Sequence, residues 1–130
     1  MPDKINVALI GGGRTGTPLL HEMLKYPYIN ITGVADLNPA AEGIMVAAKK
    51  GIFTTSDPMT LVKKGDEIDI LIEVSGDNTL KKAIKSALEK SGNKKTIIMH
   101  DLIARLFISV CTQQDQLIPT MHPEDIGIGS

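Results

Sequence analysis

Residues 4–24 read KINVALIGGGRTGTPLLHEML, and the order of residue types in this stretch decides the fold. An apolar run (Ile5, Val7, Ala8, Leu9, Ile10) leads directly into Gly11, Gly13 and Gly16 at G-x-G-x-x-G spacing. Apolar residues at helical spacing follow (Leu19, Leu20, Met23, Leu24), then a second apolar run from Ile29 to Ala35 that is closed by Asp36. A glycine triplet alone says little. A strand, glycines, a helix, a second strand and a terminal acid within about 30 residues form the dinucleotide-binding arrangement.

Each position has a physical reason. Gly11 lets the chain turn as it leaves the strand, Gly13 lets the backbone approach a pyrophosphate, and Gly16 lets the helix lie close against the strand. The first N–H groups of that helix lack internal partners and sit at the positive end of its dipole, which suits a phosphate. Arg14 and Thr15 belong to the same turn, and Arg14 can reach a phosphate. Asp36 can accept hydrogen bonds from both ribose hydroxyls of an adenosine, and its charge repels a 2′-phosphate, so NAD is expected over NADP. Leu37 and Asn38 follow on the adenine side, with no Lys or Arg to welcome that phosphate. The plainer alternative is a glycine-rich turn in an unrelated α/β domain.

The rest of the chain continues the alternation. Asn38-Pro39 has the pattern of an N-cap and first helical residue, and Lys49-Lys50-Gly51 that of a helix end. Ile52–Thr54 is a short third strand. Asp57-Pro58 opens a second short helix, which Lys63-Lys64-Gly65 closes. Ile68–Val74 is a fourth strand, apolar enough for a parallel strand covered on both faces. Asp77 caps a helix whose Leu80, Ala83, Ile84, Ala87 and Leu88 share one face, ended by Ser91-Gly92-Asn93. Thr96–Met99 is a fifth strand and Leu102–Thr112 a last helix. Pro18 conflicts with a phosphate-facing helix that begins at Gly13; a later start or a mild kink would accommodate it.

This pattern predicts an α/β domain: a doubly wound parallel (Rossmann) sheet of about five strands in order 3-2-1-4-5, with helices on both faces. Ligands then bind beyond the carboxyl ends of the first and fourth strands. The loop Ser75-Gly76-Asp77-Asn78 faces the glycine turn across that switch point. In such folds this loop flanks the nicotinamide ribose or ring, where Ser75 can donate to an oxygen and Gly76 permits close approach. Asp77 and Asn78 read better as helix caps. Glu73 either faces the cleft or pairs with a basic neighbour, and His100-Asp101 reads as the start of the last helix.

With 130 residues the chain holds one core, residues 1–118 forming the dinucleotide-binding domain and 119–130 a tail or linker. The net charge of −1 and the few aromatic residues (Tyr26, Tyr28, Phe53, Phe107, no Trp) argue against nucleic acid. No apolar stretch approaches the ~18 residues of a membrane span. The single Cys111 lies in an apolar run and is expected in the core rather than as a nucleophile. His21, His100 and His122 show no metal-ligand spacing. A first strand entered by residue 5 leaves no room for a signal peptide, so a cytoplasmic protein is expected.

INVALIGGGRTG, the acid of GVADLNP and the strand–loop IDILIEVSGD resemble the N-terminal NAD-binding domains of dihydrodipicolinate reductase, homoserine dehydrogenase, aspartate dehydrogenase and the glucose-fructose oxidoreductase superfamily. GGGRTG is similar to the first family's Gly-x-x-Gly-Arg-x-Gly turn. The resemblance spans residues 4–100 and implies Gly11, Gly13, Gly16 and Asp36 as nucleotide ligands, with Arg14. It carries over no catalytic residue, because those families' substrate domains have no counterpart here. Met99-His100-Asp101 also stands where the glucose-fructose oxidoreductase family has Glu-Lys-Pro. Including HDLIARLF, the whole chain is similar to the NAD-binding modules found in front of some bacterial signalling kinases.

Two functions follow as expectations: an NAD(H)-binding module that senses or regulates through a partner, or the cofactor-binding part of an NAD-dependent oxidoreductase whose substrate domain is absent or supplied by another chain. A CoA- or nucleotide-binding Rossmann domain is a third. The fold alone does not choose between them. LIARLFISV, residues 102–110, spreads apolar residues around most of a helix. That predicts a homodimer across this helix, the chain's own tail being the alternative cover.

Overall fold

The computed structural model describes residues 3–121 and 123. Strand β1 (Ile5–Ile10) lies at the centre of the sheet, and its last four residues are buried. It pairs in parallel with β2 (Ile29–Ala35) on one side and β4 (Ile70–Glu73) on the other. Outside these run β3 (Thr54–Thr55) and β5 (Ile97–Met99), giving the order β3-β2-β1-β4-β5. This is the doubly wound order predicted above. Parallel strands cannot be joined by tight turns, so each crossover carries a helix.

Strand alternation sorts the core into two layers. Val7, Leu9, Val34, Ile72 and Val74 face α1 (Gly16–Met23), α2 (Glu42–Lys49) and α5 (Asp101–Cys111). Ala8, Ile10, Ala35 and Leu71 face α3 (Pro58–Val62) and α4 (Asn78–Lys90). An isolated helix of eight residues is marginal in water. Helix α1 is held by Leu19, Leu20 and Met23, all buried; each such side chain contributes about 1.5–3 kcal/mol.

Several local expectations are corrected. Helix α2 starts at Glu42 behind Ala41, not at Pro39. The Asn38 side chain instead accepts from the Ala40 N–H at 3.0 Å, an Asx turn that competes with capping. Strand β3 is Thr54–Thr55 and leaves Phe53 45% exposed. Cys111 is half-buried and not in the core. Pro18 causes no conflict: α1 begins at Gly16, so proline falls among the first amides that have no intrahelical acceptor anyway. Asp57 and Asp77 cap as read, accepting from Met59 and Leu80 N–H at 3.0 and 3.1 Å.

The tail does not leave the domain at once. Residues 113–120 turn back along α5, and Ile118 packs against the core. It covers a stripe of Asp101, Arg105 and Ser109, while Leu102, Ile103, Leu106 and Val110 stay 49–67% exposed.

Candidate functional site

At the carboxyl ends of β1, β2 and β4 the chain opens into a cleft of about 360 Å³. Its wall includes Ile10, Gly11, Gly13, Arg14, Asp36, Leu37, Val74 and Ser75. A second hollow of about 470 Å³ adjoins it over Gly12, Gly13, Arg14, Asp36 and Asn38. Thr15, Gly16 and Gly76 shape the turns behind this wall without lining it.

The glycine turn is close-packed on its inner side and open on its outer side. Gly11 has φ +108°, and a Cβ there would lie 3.0 Å from the Ser75 amide nitrogen. A Cβ on Gly16 would fall 1.6 Å from the Gly11 carbonyl oxygen. A Cβ on Gly13 would meet nothing within 4 Å. The first two glycines therefore let α1 and β4 approach the turn. The third leaves bare backbone facing the cleft.

Asp36 follows β2 and has both oxygens fixed. Oδ2 accepts the Gly12 N–H at 2.7 Å and Oδ1 accepts the Asn38 N–H at 2.8 Å. These bonds orient the carboxylate at the cleft wall, and each carboxylate oxygen retains a further lone pair for a hydroxyl donor. Arg14, exposed on the same wall, is the nearby cation.

Across the cleft Ser75 is turned inward. Its Oγ–H donates to Glu73 Oε2 at 2.5 Å, and its hydroxyl oxygen accepts from the Asp77 N–H at 3.2 Å. The expected donation from Ser75 to a ribose is thus spent on Glu73, and a lone pair is what Ser75 has to offer. Glu73 is fully buried, and desolvation pushes its carboxyl above the ordinary glutamate range. The Ser75 hydrogen bonds and the positive charge of buried Lys81 on α4 pull the other way and do not offset it. Neither reading of Glu73 describes its main contact: the carboxylate is held by Ser75, and Lys81 acts on it only as a weaker nearby charge.

Sequence reasoning missed Gly43. Its N–H donates to the Gly12 carbonyl at 2.9 Å, and a Cβ there would lie 2.8 Å from Gly12 Cα. The first turn of α2 is thereby docked on the glycine turn. A lone glycine inside a helical pattern was the available signal. Pro58, Leu80 and Met121 also line the cleft and were not foreseen. Among the described residues, no group of three or more His, Cys, Asp or Glu could hold a metal, and no helix is long and apolar enough to cross a membrane.

No family model matches the chain. Among curated proteins it is 38% identical over 65 residues to acetaldehyde dehydrogenase 1/2 of Rhizorhabdus wittichii, covering 49% of this chain and 21% of that one. It is 34% identical over 74 residues to acetaldehyde dehydrogenase of Chloroflexus aurantiacus, covering 56% and 24%. It is 30% identical over 76 residues to propanal dehydrogenase (CoA-propanoylating) of Mycobacterium tuberculosis, covering 58% and 25%. The matches thus span no more than about a quarter of these relatives. Among solved structures, homoserine dehydrogenase of S. aureus superposes with a TM-score of 0.63 at 15% identity, over 88% of this chain and 31% of that one. Scyllo-inositol dehydrogenase of Lactobacillus casei, with NAD(H) and scyllo-inositol bound, gives 0.57 at 19% identity over 86% and 34%. The fold is that of NAD(P)-binding Rossmann dehydrogenases, including one of the proteins the sequence resembles. The similarity to modules in front of signalling kinases rests on sequence alone.

Proposed function

We propose that the chain binds NAD(H) along the carboxyl rim, with the adenosine ribose at Asp36, the pyrophosphate over Gly13 and Arg14, and the nicotinamide half toward Ser75 and Gly76. One observation carries this reading. A carboxylate, fixed by two backbone amides, shares a wall with a glycine whose missing side chain leaves bare backbone facing the cleft. That is the chemistry of a ribose next to a phosphate. Leu37 and Asn38 flank the adenine, and Thr15 and Gly16 hold the helix start in register behind the phosphates. Discrimination against NADP follows from the charge of Asp36.

The dehydrogenase relatives favour the use of this site as the cofactor-binding part of an NAD-dependent oxidoreductase whose substrate-binding residues lie elsewhere. The sensing or regulatory use needs the same cleft and a protein partner. A cytoplasmic setting goes with both. The exposed apolar face of α5 is the contact we assign to a homodimer, because the charges on that helix, Asp101 and Arg105, are paired with each other at 2.7 Å and leave the face apolar.

Titration calorimetry with NAD, NADH and NADP tests the site. Asp36→Ala is expected to weaken NAD by about 1–3 kcal/mol, the cost of hydroxyls left without a charged acceptor. NADP should lose little and become relatively favoured. Tighter NADP than NAD binding by the native chain would reject the assignment.

A further inference from the structure

After α5 the chain reverses sharply. Gln113 takes φ +56°, and Gln114 N–H donates to the Ser109 carbonyl at 2.9 Å. The segment then runs antiparallel along the helix and is fastened at one-turn intervals. Ile118 N–H donates to Ser109 Oγ at 3.0 Å. Arg105 Nη1 donates to the Ile118 carbonyl at 3.1 Å. Thr120 Oγ1 donates to Asp101 Oδ2 at 3.1 Å. Asp101, Arg105 and Ser109 lie four residues apart, one stripe of the helix. Because Asp101 begins the helix at the carboxyl end of β5, this path returns the chain to the rim of the sheet. There Met121 forms part of both hollows of the cleft, alongside Gly13, Arg14 and Asp36.

A ligand stretched along this wall from Asp36 past Gly13 to Ser75 runs beside Met121, which lines both hollows. A thioether has no donor for a phosphate and no acceptor worth having for a ribose. Its flexible apolar chain bounds the opening with surface that offers nothing to the polar parts of a dinucleotide. We propose that residues 113–121 are an autoinhibitory strap: Met121 and the bound dinucleotide compete for the mouth of the cleft, so binding loosens the strap from α5. The inference rests on the dinucleotide reading of the site. It adds a coupling between the cleft and the chain that follows α5. By linkage the coupling is reciprocal, so whatever holds the strap down weakens the ligand.

Two substitutions in the full chain separate the effects. Met121→Gly removes the obstacle, and Ser109→Ala removes one fastening without touching the cleft. If the strap is docked in most molecules, the apparent affinity is reduced by the undocked fraction, and either variant should tighten NAD binding by about 3- to 10-fold. The Ile118 amide, held by Ser109 in the free chain, should exchange its hydrogen faster when NAD is saturating. NAD binding by the native chain with unchanged affinity in both variants would overturn the strap and leave the site standing. So would slower Ile118 exchange with NAD, the mark of a segment that closes on its ligand. No binding of NAD or ADP-ribose by the native chain or either variant would overturn both. NAD binding only in the variants is the extreme form of the expected result.

Discussion

Two open hollows of nearly equal size lie on the same sheet, and they are built in opposite ways. The cleft at the carboxyl rim holds about 360 Å³ and is shaped by absent side chains and fixed polar groups. The other, about 380 Å³, lies between α1 and α5 toward the amino ends of the strands. It is walled by side chains such as Met23, Tyr26, Tyr28, Ile29, Phe107 and Cys111, nearly all apolar. In the first, backbone touches backbone on the inner side of the turn, where a methyl added at Gly11 or Gly16 has nowhere to go. In the second, flexible side chains define the wall and can move. Ligand specificity needs fixed atoms, which the first hollow has. The second has adaptable apolar surface, which suits a protein contact.

The sharpest way to break this contrast is a single substitution at each of three places. Gly16→Ala drives a Cβ to 1.6 Å from the Gly11 carbonyl oxygen, and backbone must shift. The expected loss is about 3 kcal/mol of stability, the upper end of overpacking costs, together with loss of NAD binding. Gly13→Val meets no atom within 4 Å of its Cβ. It should stay within about 0.5 kcal/mol of the native stability yet abolish NAD binding. In the apolar hollow, Met23→Leu should cost less than about 1.5 kcal/mol and leave NAD binding unchanged. Urea denaturation and calorimetry on the three variants measure both quantities. Equal stability of the two glycine variants would show that the turn is not packed as described.

The same contrast explains what could be read before the structure. The cleft was legible because its determinants are local: Gly11, Gly13, Gly16 and Asp36 fall within one strand–helix–strand unit, at spacings dictated by a ligand. The sheet order followed from alternation and handedness. The apolar hollow was not legible, since its wall gathers residues from Ile5 to Cys111 and depends on which apolar side chains stay uncovered. Asn38 misled because an Asx turn and an N-cap use the same side chain, and geometry alone decides between them. Gly43 passed unnoticed because its job is to touch Gly12, a contact between distant segments. The path of 113–121 was hidden for a similar reason. Its fastenings are the polar residues of an otherwise apolar helix, and their spacing was the one signal available.

A smaller effect is expected at the exposed face of α5. Phe107 is half-buried in the hollow, so replacing it would disturb packing and association together. Leu106 and Val110, 49% and 67% exposed, are the better probes. If this face joins two copies, Leu106→Glu should raise the dimer dissociation constant by about tenfold or more, the equivalent of about 1.4 kcal/mol. NAD affinity and urea midpoint extrapolated to monomer should hold. Light scattering across a concentration series reads the change. A native chain that stays monomeric at tens of micromolar would remove the dimer and leave the face to a different protein.

The smallest effect concerns protons, and here the two ends of β4 differ in sign. At the rim, burial raises the Glu73 pKa. At the other end, Asp69 Oδ2 accepts the Asn6 N–H at 2.8 Å and Oδ1 lies 3.4 Å from Lys95 Nζ. The Asn6 hydrogen bond is the main cause of its lowered pKa, with Lys95 adding to it. A raised folded-state pKa means the contribution of Glu73 is fully present below its unfolded value and is lost as pH rises through the folded one. A lowered one means the contribution of Asp69 is present above its unfolded value and is lost as pH falls through the folded one. Glu73→Gln keeps an acceptor for Ser75 and removes the titration. It should therefore flatten the stability profile above the ordinary glutamate range, gaining on the native chain as pH rises toward neutrality. Asp69→Asn should flatten the acid limb instead and leave the neutral side parallel to the native curve. Urea midpoints measured from acid pH, below the ordinary aspartate range, to mildly alkaline pH test both. A Glu73→Gln profile that runs parallel to the native one throughout would mean that Lys81 and Ser75 fully compensate the buried charge, and that the rim is no more costly to ionise than the opposite end.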